Sequence, residues 1–365
     1  MKVCYISRSP IHYRKEIYLL MDKELETEFY FGDSRPGEIK FFDVKLLSHF
    51  KDFLHNINLG PFYWQRGLLK LLFCKYKYFI SPCDTYCINA WLFIFLAPLF
   101  GKRILWWTHG AYGNEGSLKK LMLKLKISLL YGVLLYGEYA KNILIDYGVN
   151  ENKLHVIYNS LAYDEQSEIR TTIKESSIYR EHFANDNKNI VFTGRLTKVK
   201  KLHQLIEAVS ELKERGIPMN VTFVGDGTEM ENLKLCVKNK GLHDTVWFYG
   251  ACYDEKVLST LIYNADMCVS PGNVGLTAMH AMTFGTPVIS HDNFPLQMPE
   301  FEAIEEGKTG AFFKENDVVS LADAIERWLA LNLDRETVRQ NCCSVIDKKY
   351  NPHRQIELLK TIIKQ

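Results

Sequence analysis

Short apolar runs alternate with amphipathic segments along the first 160 residues. Strand-like runs such as 2–7 and 104–108 are separated by stretches with helical periodicity. Strands separated by helices of this length predict a parallel sheet that is covered on both faces. The predicted strands are 2–7, 27–31, 104–108, 132–137 and 153–159, and the predicted helices are 13–23, 66–77, 117–130 and 138–147.

A second alternation of the same kind begins at residue 189. Its predicted strands are 189–194, 219–225, 245–250, 267–271 and 286–290, and its predicted helices are 203–215, 229–240, 254–265, 276–284, 318–329 and 335–350. The polar segment before it, 162–188, is interpreted as the connection between two domains. Two doubly wound α/β units predict a cleft between them, with binding loops at the carboxyl ends of the strands.

The predicted domain organisation has four parts. An N-terminal domain, 1–165, is followed by a linker, 166–187, a C-terminal domain, 188–350, and a helix, 351–365, that packs back toward the N-terminal domain. A chain of 365 residues is long enough for two domains of roughly 100–200 residues each. Its net charge of +2 gives no general attraction to nucleic acid, so no nucleic-acid partner is expected.

Cysteine usage and apolar runs predict the compartment. The nine cysteines, an odd number that lie mostly within apolar runs, favour reduced thiols in the cytoplasm. The N-terminus lacks the features of a signal peptide. The most apolar stretch, 91–100, contains Pro98 and is too short to span a bilayer. A cytoplasmic protein is therefore predicted.

Four cations follow the strand 189–194. Arg195, Lys198, Lys200 and Lys201 lie between a strand end and a helix N-terminus, where a doubly charged phosphate group can bind. A solvated basic loop explains the same charges. Charge alone leaves both interpretations open.

Five blocks of sequence resemble those of the family 4 glycosyltransferases in order and spacing. They are GRLTKVK (194–200), FVGDG (223–227), NADMCVSP (264–271), GLTAMHAMTFGTPVI (275–289) and EEGKTGAFF (305–313). The N-terminal half is similar only in short pieces, namely His109-Gly110, 136–141 and 156–161. The resemblance implies the GT-B fold, with two Rossmann-like domains facing a nucleotide-sugar cleft, and sugar transfer with retention of anomeric configuration.

The resemblance also implies roles for individual residues. Arg195 and Lys200 match the family's basic pair that neutralises the donor diphosphate, and His109 matches the histidine that faces the donor sugar. The N–H groups of 275–277 match those that cradle a phosphate at a helix N-terminus, and the main chain of 249–251 lies where the family holds the nucleobase. The implied donor-binding residues are Gly194, Tyr249, Gly250, Ala251, Gly272, Asn273, Val274, Gly275, Leu276, Thr277, His280 and Glu302.

The sequence departs from the family at two glutamates. Members carry two glutamates separated by seven residues, and the matching positions hold Gly272 and His280. Gly272 is expected to leave room for the donor sugar, whose recognition passes to backbone N–H groups and to Asn273, unless Asn273 is only a turn residue. Glu302 is a candidate for part of that recognition, and a solvated acidic loop is the alternative.

His280 has three interpretations. In the first, it is a core histidine bonded to a backbone carbonyl. In the second, it contacts the ribose through a neutral imidazole nitrogen. In the third, it is one sign of a site that has lost its activity. The cations that remain in place favour the ribose contact.

No metal or cofactor is predicted. No two aspartates are two residues apart, so the Asp-x-Asp element of the metal-dependent class of glycosyltransferases is absent. Cys83 and Cys87 have no second Cys or His pair at zinc spacing. The expected substrate is a UDP- or GDP-linked sugar. The alternatives to a glycosyltransferase are a nucleotide-sugar 2-epimerase of GT-B fold and a non-catalytic nucleotide-sugar-binding scaffold.

The acceptor is expected on the N-terminal domain. Helix 117–130 places Lys119, Lys120, Lys124 and Lys126 among leucines, and helix 66–77 is similar. Such helices can lie on anionic headgroups, or can cover a sheet with their lysines in water. Because many relatives use lipid-linked acceptors, the resemblance favours peripheral contact with the inner face of the plasma membrane and a lipid-linked glycan acceptor in bacterial surface polysaccharide synthesis.

Overall fold

A computed structural model describes residues 2–33 and 41–364 of the chain. The chain divides into two compact units, one comprising Met1–Ala162 with Asn351–Gln365 and the other Tyr163–Tyr350. Each unit is built on its own sheet. All nine cysteines are free.

The first unit contains an eight-stranded sheet in the order β4-β3-β2-β1-β5-β6-β7-β8. Neighbouring strands are parallel except β3 and β4, which form an antiparallel hairpin. Successive residues of β1 alternate between two apolar clusters, with Cys4 and Ile6 in one and Val3 and Tyr5 in the other, so both faces of the sheet are covered. The strands are β1 Val3–Ser7, β2 Glu28–Gly32, β3 Phe50–Leu59, β4 Phe62–Arg66, β5 Tyr78–Ser81, β6 Arg103–Thr108, β7 Gly132–Leu135 and β8 Leu154–Val156.

The second unit contains a six-stranded parallel sheet in the order β11-β10-β9-β12-β13-β14. Its first strand, β9, lies in the middle, and successive strands are added outward first on one side of it and then on the other. The strands are β9 Lys188–Thr193, β10 Met219–Val224, β11 Val246–Gly250, β12 Met267–Ser270, β13 Val288–His291 and β14 Gly310–Phe313. The α/β class with two doubly wound parallel sheets is confirmed, with β4 as the antiparallel addition.

Thirteen α-helices are present among the described residues. In chain order they are α1 Lys15–Leu25, α2 Ile88–Leu96, α3 Ser117–Leu129, α4 Glu138–Asp146, α5 Tyr163–Thr172, α6 Ile178–Phe183, α7 Leu202–Glu214, α8 Met230–Asn239, α9 Glu255–Asn264, α10 Leu276–Thr283, α11 Val318–Ala330, α12 Arg335–Lys349 and α13 Pro352–Lys364. Helices α5 and α6 lie within the range assigned above to the connection. Helix α13 packs Ile356 and Leu359 into one apolar cluster of the first unit.

Three of these helices are preceded by a capping aspartate. The side chains of Asp254, Asp317 and Asp334 accept hydrogen bonds from N–H groups in the first turns of α9, α11 and α12. These N–H groups have no partner within the helix, so each cap fixes where its helix starts.

The predicted helix 66–77 is wrong. Arg66 is the last residue of β4, Gly67 has a φ of +96°, and Leu68–Phe73 forms a 3-10 helix. Because Gly67 precedes the segment in the left-handed region and Cys74 ends it in an extended conformation, the leucine spacing forms only this short turn, which buries Leu68, Leu71 and Leu72. Strands β3, β4, β5 and β14 had no counterpart among the predicted elements.

Candidate functional site

The candidate site lies at the carboxyl edge of the second sheet, where the strand order reverses. The loops after β9 and β12 follow neighbouring strands but lead to helices on opposite sides of the sheet. In open α/β sheets, ligands bind in the crevice at such a switch point. The two loops, 194–201 and 271–275, are those singled out by the sequence.

The first loop is fastened to the segment after β10. The N–H of Gly194 donates to the carbonyl of Val224 at 2.9 Å, and that of Leu196 donates to the carbonyl of Asp226 at 2.9 Å. A Cβ at Gly225 would lie 1.9 Å from the Gly194 oxygen, so only glycine permits this approach. The loop therefore presents Arg195, which is exposed, from a fixed backbone.

Lys200 belongs to the loop after β9 and connects it to the loop after β12. Its Nζ donates to the backbone oxygen of Asn273 at 2.7 Å and to Asn273 Oδ1 at 3.0 Å. Burial and the nearby Arg195 charge lower the Lys200 pKa to about 8, although Glu300 opposes the shift. Two cations that influence each other in a half-buried crevice form a site for a doubly charged anion.

The other two cations of the loop have different surroundings. Lys201 pairs with Glu315 and donates to Asn316 Oδ1 at 2.8 Å, whereas Lys198 is exposed. The structure therefore separates the Arg195–Lys200 pair from Lys201, which has other partners, and from Lys198, which is exposed.

The second loop leads into the N-terminus of α10. Gly275 is the residue before the helix, and the N–H groups at a helix start have no acceptor within it. Those of Gly275, Leu276 and Thr277 can therefore bind a phosphate oxygen. The N–H of Val274 is already bonded to Gln297 Oε1 at 2.7 Å, and the Thr277 hydroxyl donates to the carbonyl of Thr193 at 2.9 Å, which ties α10 to β9.

Gly272 is explained by close packing rather than by room for a sugar. Its N–H donates to the Lys200 carbonyl at 2.9 Å. A Cβ at this position would lie 2.0 Å from the oxygen of Val199 and 2.6 Å from Lys200 Cα. The main chain of 199–200 occupies the space that a larger residue would need, and Asn273 holds Lys200 through two oxygens, which is more than a turn residue does.

The predicted nucleobase segment lies at the edge strand of this sheet. Tyr249 and Gly250 end β11 and are half-buried, and Ala251 is exposed. The carbonyl of Gly250 accepts from the N–H of Gly225 at 2.8 Å. The segment therefore lies at the same carboxyl edge as the cationic loop, two strands away from it.

His280 is bonded to a carboxylate. Its Nε2 lies 2.7 Å from Glu255 Oε1, where Glu255 is the first residue of α9. The core interpretation expected a backbone carbonyl as the partner. This pair could not be predicted from the sequence, because the two residues lie on different helices.

Glu300 is closer to the site than its position in the acidic segment suggests. Its carboxylate is 2% exposed and its Oε2 lies 3.9 Å from the Cβ position of Gly275. Glu302, the glutamate chosen from the sequence, is half-buried in the 3-10 turn Pro299–Ala303. The charge of Glu300 acts on Lys200, where it raises the pKa of the ammonium group.

His109 lies in the first unit, directly after β6. Its Nδ1 is 2.9 Å from the Tyr112 hydroxyl, and its ring meets that of Tyr136 edge-on at 5.0 Å. Burial and the charge of Arg14 lower the His109 pKa to about 4. The imidazole is therefore neutral near pH 7.

Two absences concern the residues that the structure describes. Within 2–33 and 41–364, no group of three His, Cys, Asp or Glu side chains could hold a metal ion. Over the same ranges, none of the helices has both the length and the apolar character needed to cross a membrane.

The pKa of Lys200 predicts how diphosphate affinity depends on pH. The anion binds the protonated amine, so affinity is expected to be constant near pH 7 and to fall above pH 8, by up to about tenfold per unit. Calorimetric titration of UDP between pH 6.5 and 9.5 measures this. Lys200→Arg should abolish the fall, because a guanidinium stays protonated. A flat wild-type profile would contradict the assignment.

Sequence comparisons identify one family and several relatives. Residues 174–343 match the family described as glycosyl transferases group 1. Alpha-D-kanosaminyltransferase of Streptomyces kanamyceticus is 26% identical over 194 residues, which are 52% of this chain and 49% of that protein. WcaL of Escherichia coli strain K12, provisionally named a colanic acid biosynthesis glycosyltransferase, is 30% identical over 156 residues, which are 40% of this chain and 37% of that protein. The chain thus spans about half the length of these relatives or less.

A solved structure matches the whole chain. The crystal structure of Anabaena Alr3699/HepE in complex with UDP has a TM-score of 0.72 and 17% sequence identity, and 100% of each chain is covered. This likeness confirms the predicted GT-B fold class. Together with the match of residues 174–343, it supports a glycosyltransferase of GT-B fold.

Proposed function

We propose that this protein is a retaining, metal-independent glycosyltransferase that moves a sugar from a nucleotide-sugar donor to a lipid-linked glycan in bacterial surface polysaccharide synthesis. The observation that carries the proposal is the Arg195–Lys200 pair beside the N-terminus of α10 at the switch point of the second sheet. The family matched by residues 174–343 favours this function over a 2-epimerase or a non-catalytic scaffold.

The chemistry of the leaving group explains the role of the cations. During transfer, the departing diphosphate gains negative charge while the anomeric carbon becomes oxocarbenium-like. Cations and helix N–H groups that are already in position stabilise that charge without reorganising. We propose that the acceptor hydroxyl attacks the anomeric carbon from the face that the diphosphate leaves, so the anomeric configuration is retained. A leaving phosphate oxygen then helps to deprotonate the acceptor hydroxyl, and no separate protein base is needed.

The donor is proposed to carry UDP or GDP. The similar HepE structure holds UDP, which supports a nucleoside diphosphate as the leaving group. His109 is proposed to face the donor sugar as a neutral imidazole, since its pKa lies near 4. A neutral ring can accept a hydrogen bond from a sugar hydroxyl or donate one to it.

The acceptor is proposed to bind the first unit at the switch point of its own sheet. The loops after β1 and β5 border a cavity there, lined by residues that include Arg8, Tyr63 and Asp84. The Arg8 guanidinium lies 4.6 Å from the centre of the Tyr63 ring, and the Tyr63 hydroxyl donates to Asp84 Oδ2 at 3.1 Å. Arg8 and Asp84 are half-buried and offer charged hydrogen-bonding groups that suit the hydroxyls of a glycan.

Helix α3 supports contact with a lipid surface. Most of its apolar side chains are exposed and only Leu123 and Ile127 pack against the core, whereas an ordinary helix that covers a sheet points most of them inward. The exposed apolar residues at helical spacing are Leu118, Leu121, Met122, Leu125 and Leu129. Exposed Lys119 and Lys124 flank this stripe, an arrangement typical of helices that lie on anionic lipid.

Two details of the earlier interpretation change. Lys126 does not face solvent, because it is 3% exposed, donates to the Cys83 carbonyl at 2.8 Å and lies 3.8 Å from the Trp106 ring centre. The segment 66–77 is not a helix, but its turn exposes Phe73, which is 77% exposed and meets the Phe100 ring at 5.0 Å. This aromatic pair adds apolar surface to the first unit.

We expect the double variant Leu121→Gln, Leu125→Gln to lose most binding to vesicles that contain phosphatidylglycerol. Both side chains are more than half exposed, at 53% and 58%, so the melting temperature should stay within a few degrees of wild type. Co-sedimentation at low salt measures binding. Leu235→Gln is the matched control, because Leu235 is 57% exposed on α8 of the second unit. Wild-type protein that does not sediment with these vesicles would contradict the membrane proposal.

The function is tested by release of nucleoside diphosphate. UDP- and GDP-sugars are incubated with and without lipid-linked glycan acceptors, and free UDP or GDP is measured. Release that depends on acceptor supports transfer. Interconversion of donor sugars without acceptor would point to an epimerase, and nucleotide binding without turnover to a scaffold, and either result would overturn the proposal.

A further inference from the structure

Glu255 occupies a fixed place beside the donor site. It is the first residue of α9, and it follows the end of β11 after a loop of four residues, 251–254. Asp254 caps the helix by accepting from the N–H groups of Lys256 and Val257 at 2.9 and 3.2 Å. Because α9 starts at a capped position, Glu255 projects from its first turn, where the helix dipole favours a carboxylate.

Two side chains hold one oxygen of this carboxylate. Glu255 Oε1 lies 2.7 Å from His280 Nε2 and accepts from Gln166 Nε2 at 3.0 Å. Gln166 is 3% exposed, so its amide is itself held in place. Burial raises the pKa of Glu255, but the hydrogen bond and electrostatic attraction of His280, together with the hydrogen bond from Gln166, outweigh burial and lower it. The group is thus a carboxylate at neutral pH, and His280 donates from Nε2.

The second oxygen of Glu255 is not engaged. Within residues 2–33 and 41–364, Oε2 accepts no hydrogen bond and is not one of the buried polar atoms that lack a partner. A carboxylate that two donors orient through one oxygen presents the other to solvent as a preformed acceptor. Such an oxygen suits the hydroxyl groups of a ligand.

The position of Glu255 relates it to two parts of a nucleotide. It follows the strand end proposed to hold the nucleobase, and its partner His280 lies one helical turn beyond Leu276, at the proposed phosphate-binding N-terminus of α10. In a nucleoside diphosphate, the ribose connects the base to the phosphates. A group tied to both segments is therefore placed at the ribose.

We propose that Glu255 binds the ribose hydroxyls of the donor nucleotide and that His280 is the residue that positions it. The inference rests on the proposed function, since it concerns the same donor site. It explains why His280 replaces a glutamate on α10: the carboxylate is supplied by α9 instead. His280 thereby belongs to the site without contacting the ligand.

The test compares UDP with 2′-deoxy-UDP and with pyrophosphate by calorimetric titration, using GDP and 2′-deoxy-GDP if the protein binds GDP. Hydrogen bonds to charged groups are strong, so wild type should bind the ribonucleotide at least about tenfold more tightly than the deoxynucleotide. Glu255→Gln should reduce this preference to about threefold or less, while pyrophosphate affinity stays unchanged. Glu231→Gln on α8, whose side chain is 83% exposed, is the control.

A carboxylate swap separates a binding role from a merely structural one. The double variant Glu255→Gln, His280→Glu moves the carboxylate back to α10 and leaves an amide donor on α9. If Glu255 binds ribose, the swap should regain at least part of the ribose preference that Glu255→Gln loses. His280→Gln, which keeps a donor, should retain more of the preference than His280→Ala.

The outcomes distinguish this inference from the proposed function. A protein that binds no nucleoside diphosphate overturns both. Binding of UDP that Lys200→Ala weakens, together with an unchanged ribose preference in Glu255→Gln and in His280→Ala, overturns the role of Glu255 alone. If Glu255→Gln does not fold, the His280→Gln and His280→Ala pair provides the same comparison.

Discussion

Replacing Lys200 with alanine is expected to lower kcat/KM for sugar transfer by a factor of about 10² to 10³. The ammonium lies in a half-buried crevice beside Arg195 and the N-terminus of α10, where water screens its charge less than at the surface. Its interaction with the diphosphate strengthens as the leaving group gains charge, so kcat should fall as well as affinity. Arg195→Ala is expected to act in the same direction.

Steady-state kinetics with a UDP- or GDP-sugar measure the effect. Lys198→Ala is the matched control, because Lys198 belongs to the same loop but is exposed, and its turnover should stay within about twofold of wild type. Lys200→Arg keeps the charge and is expected to recover part of the rate. Wild-type rates in both Lys200→Ala and Arg195→Ala would overturn the assignment of the cationic pair.

Placing a glutamate at position 272 is expected to damage the protein rather than improve sugar binding. A Cβ there would lie 2.0 Å from the Val199 oxygen, and backbone atoms cannot move aside as a flexible side chain can. The loop 199–200 would be displaced together with Lys200, whose carbonyl accepts from Gly272. We expect Gly272→Glu to lose about 3 kcal/mol or more of unfolding free energy and nearly all activity.

Chemical denaturation and kinetics test this expectation, with Gly272→Ala as the smaller change in the same direction. Gly116→Ala is the control, because nothing lies within 4 Å of its Cβ position and its φ of −69° is ordinary. A Gly272→Glu protein with wild-type stability and improved donor binding would show that the loop leaves room for the side chain, as the sequence had suggested.

The sequence predicted those parts of the fold whose signal is local. Strands such as β9 and β12 are continuous apolar runs that are buried on both faces, and they were recognised for that reason. The β3–β4 hairpin was missed because most of β3 is exposed and its composition is mixed. The false helix 66–77 had suitable leucine spacing, but Gly67 lies in the left-handed region after β4 and Cys74 is extended, so only Leu68–Phe73 forms a helical turn.

The same division applies to the site. The cationic loop and the start of α10 follow strand ends and could be placed from the sequence, because parallel strands bring their carboxyl ends to one edge. The Glu255–His280 pair could not, since it depends on how α9 and α10 lie against each other. The reason why position 272 holds a glycine could not be predicted either, because it depends on the distance between two backbone segments.

A crystal structure of the protein with UDP, or with GDP if that nucleotide binds more tightly, tests the central claim most directly. We expect the β-phosphate to lie within hydrogen-bond distance of Lys200 Nζ and of an N–H group among Gly275–Thr277, with Lys200 released from Asn273. A diphosphate bound away from this switch point, or no nucleotide bound at saturating concentration, would contradict the account.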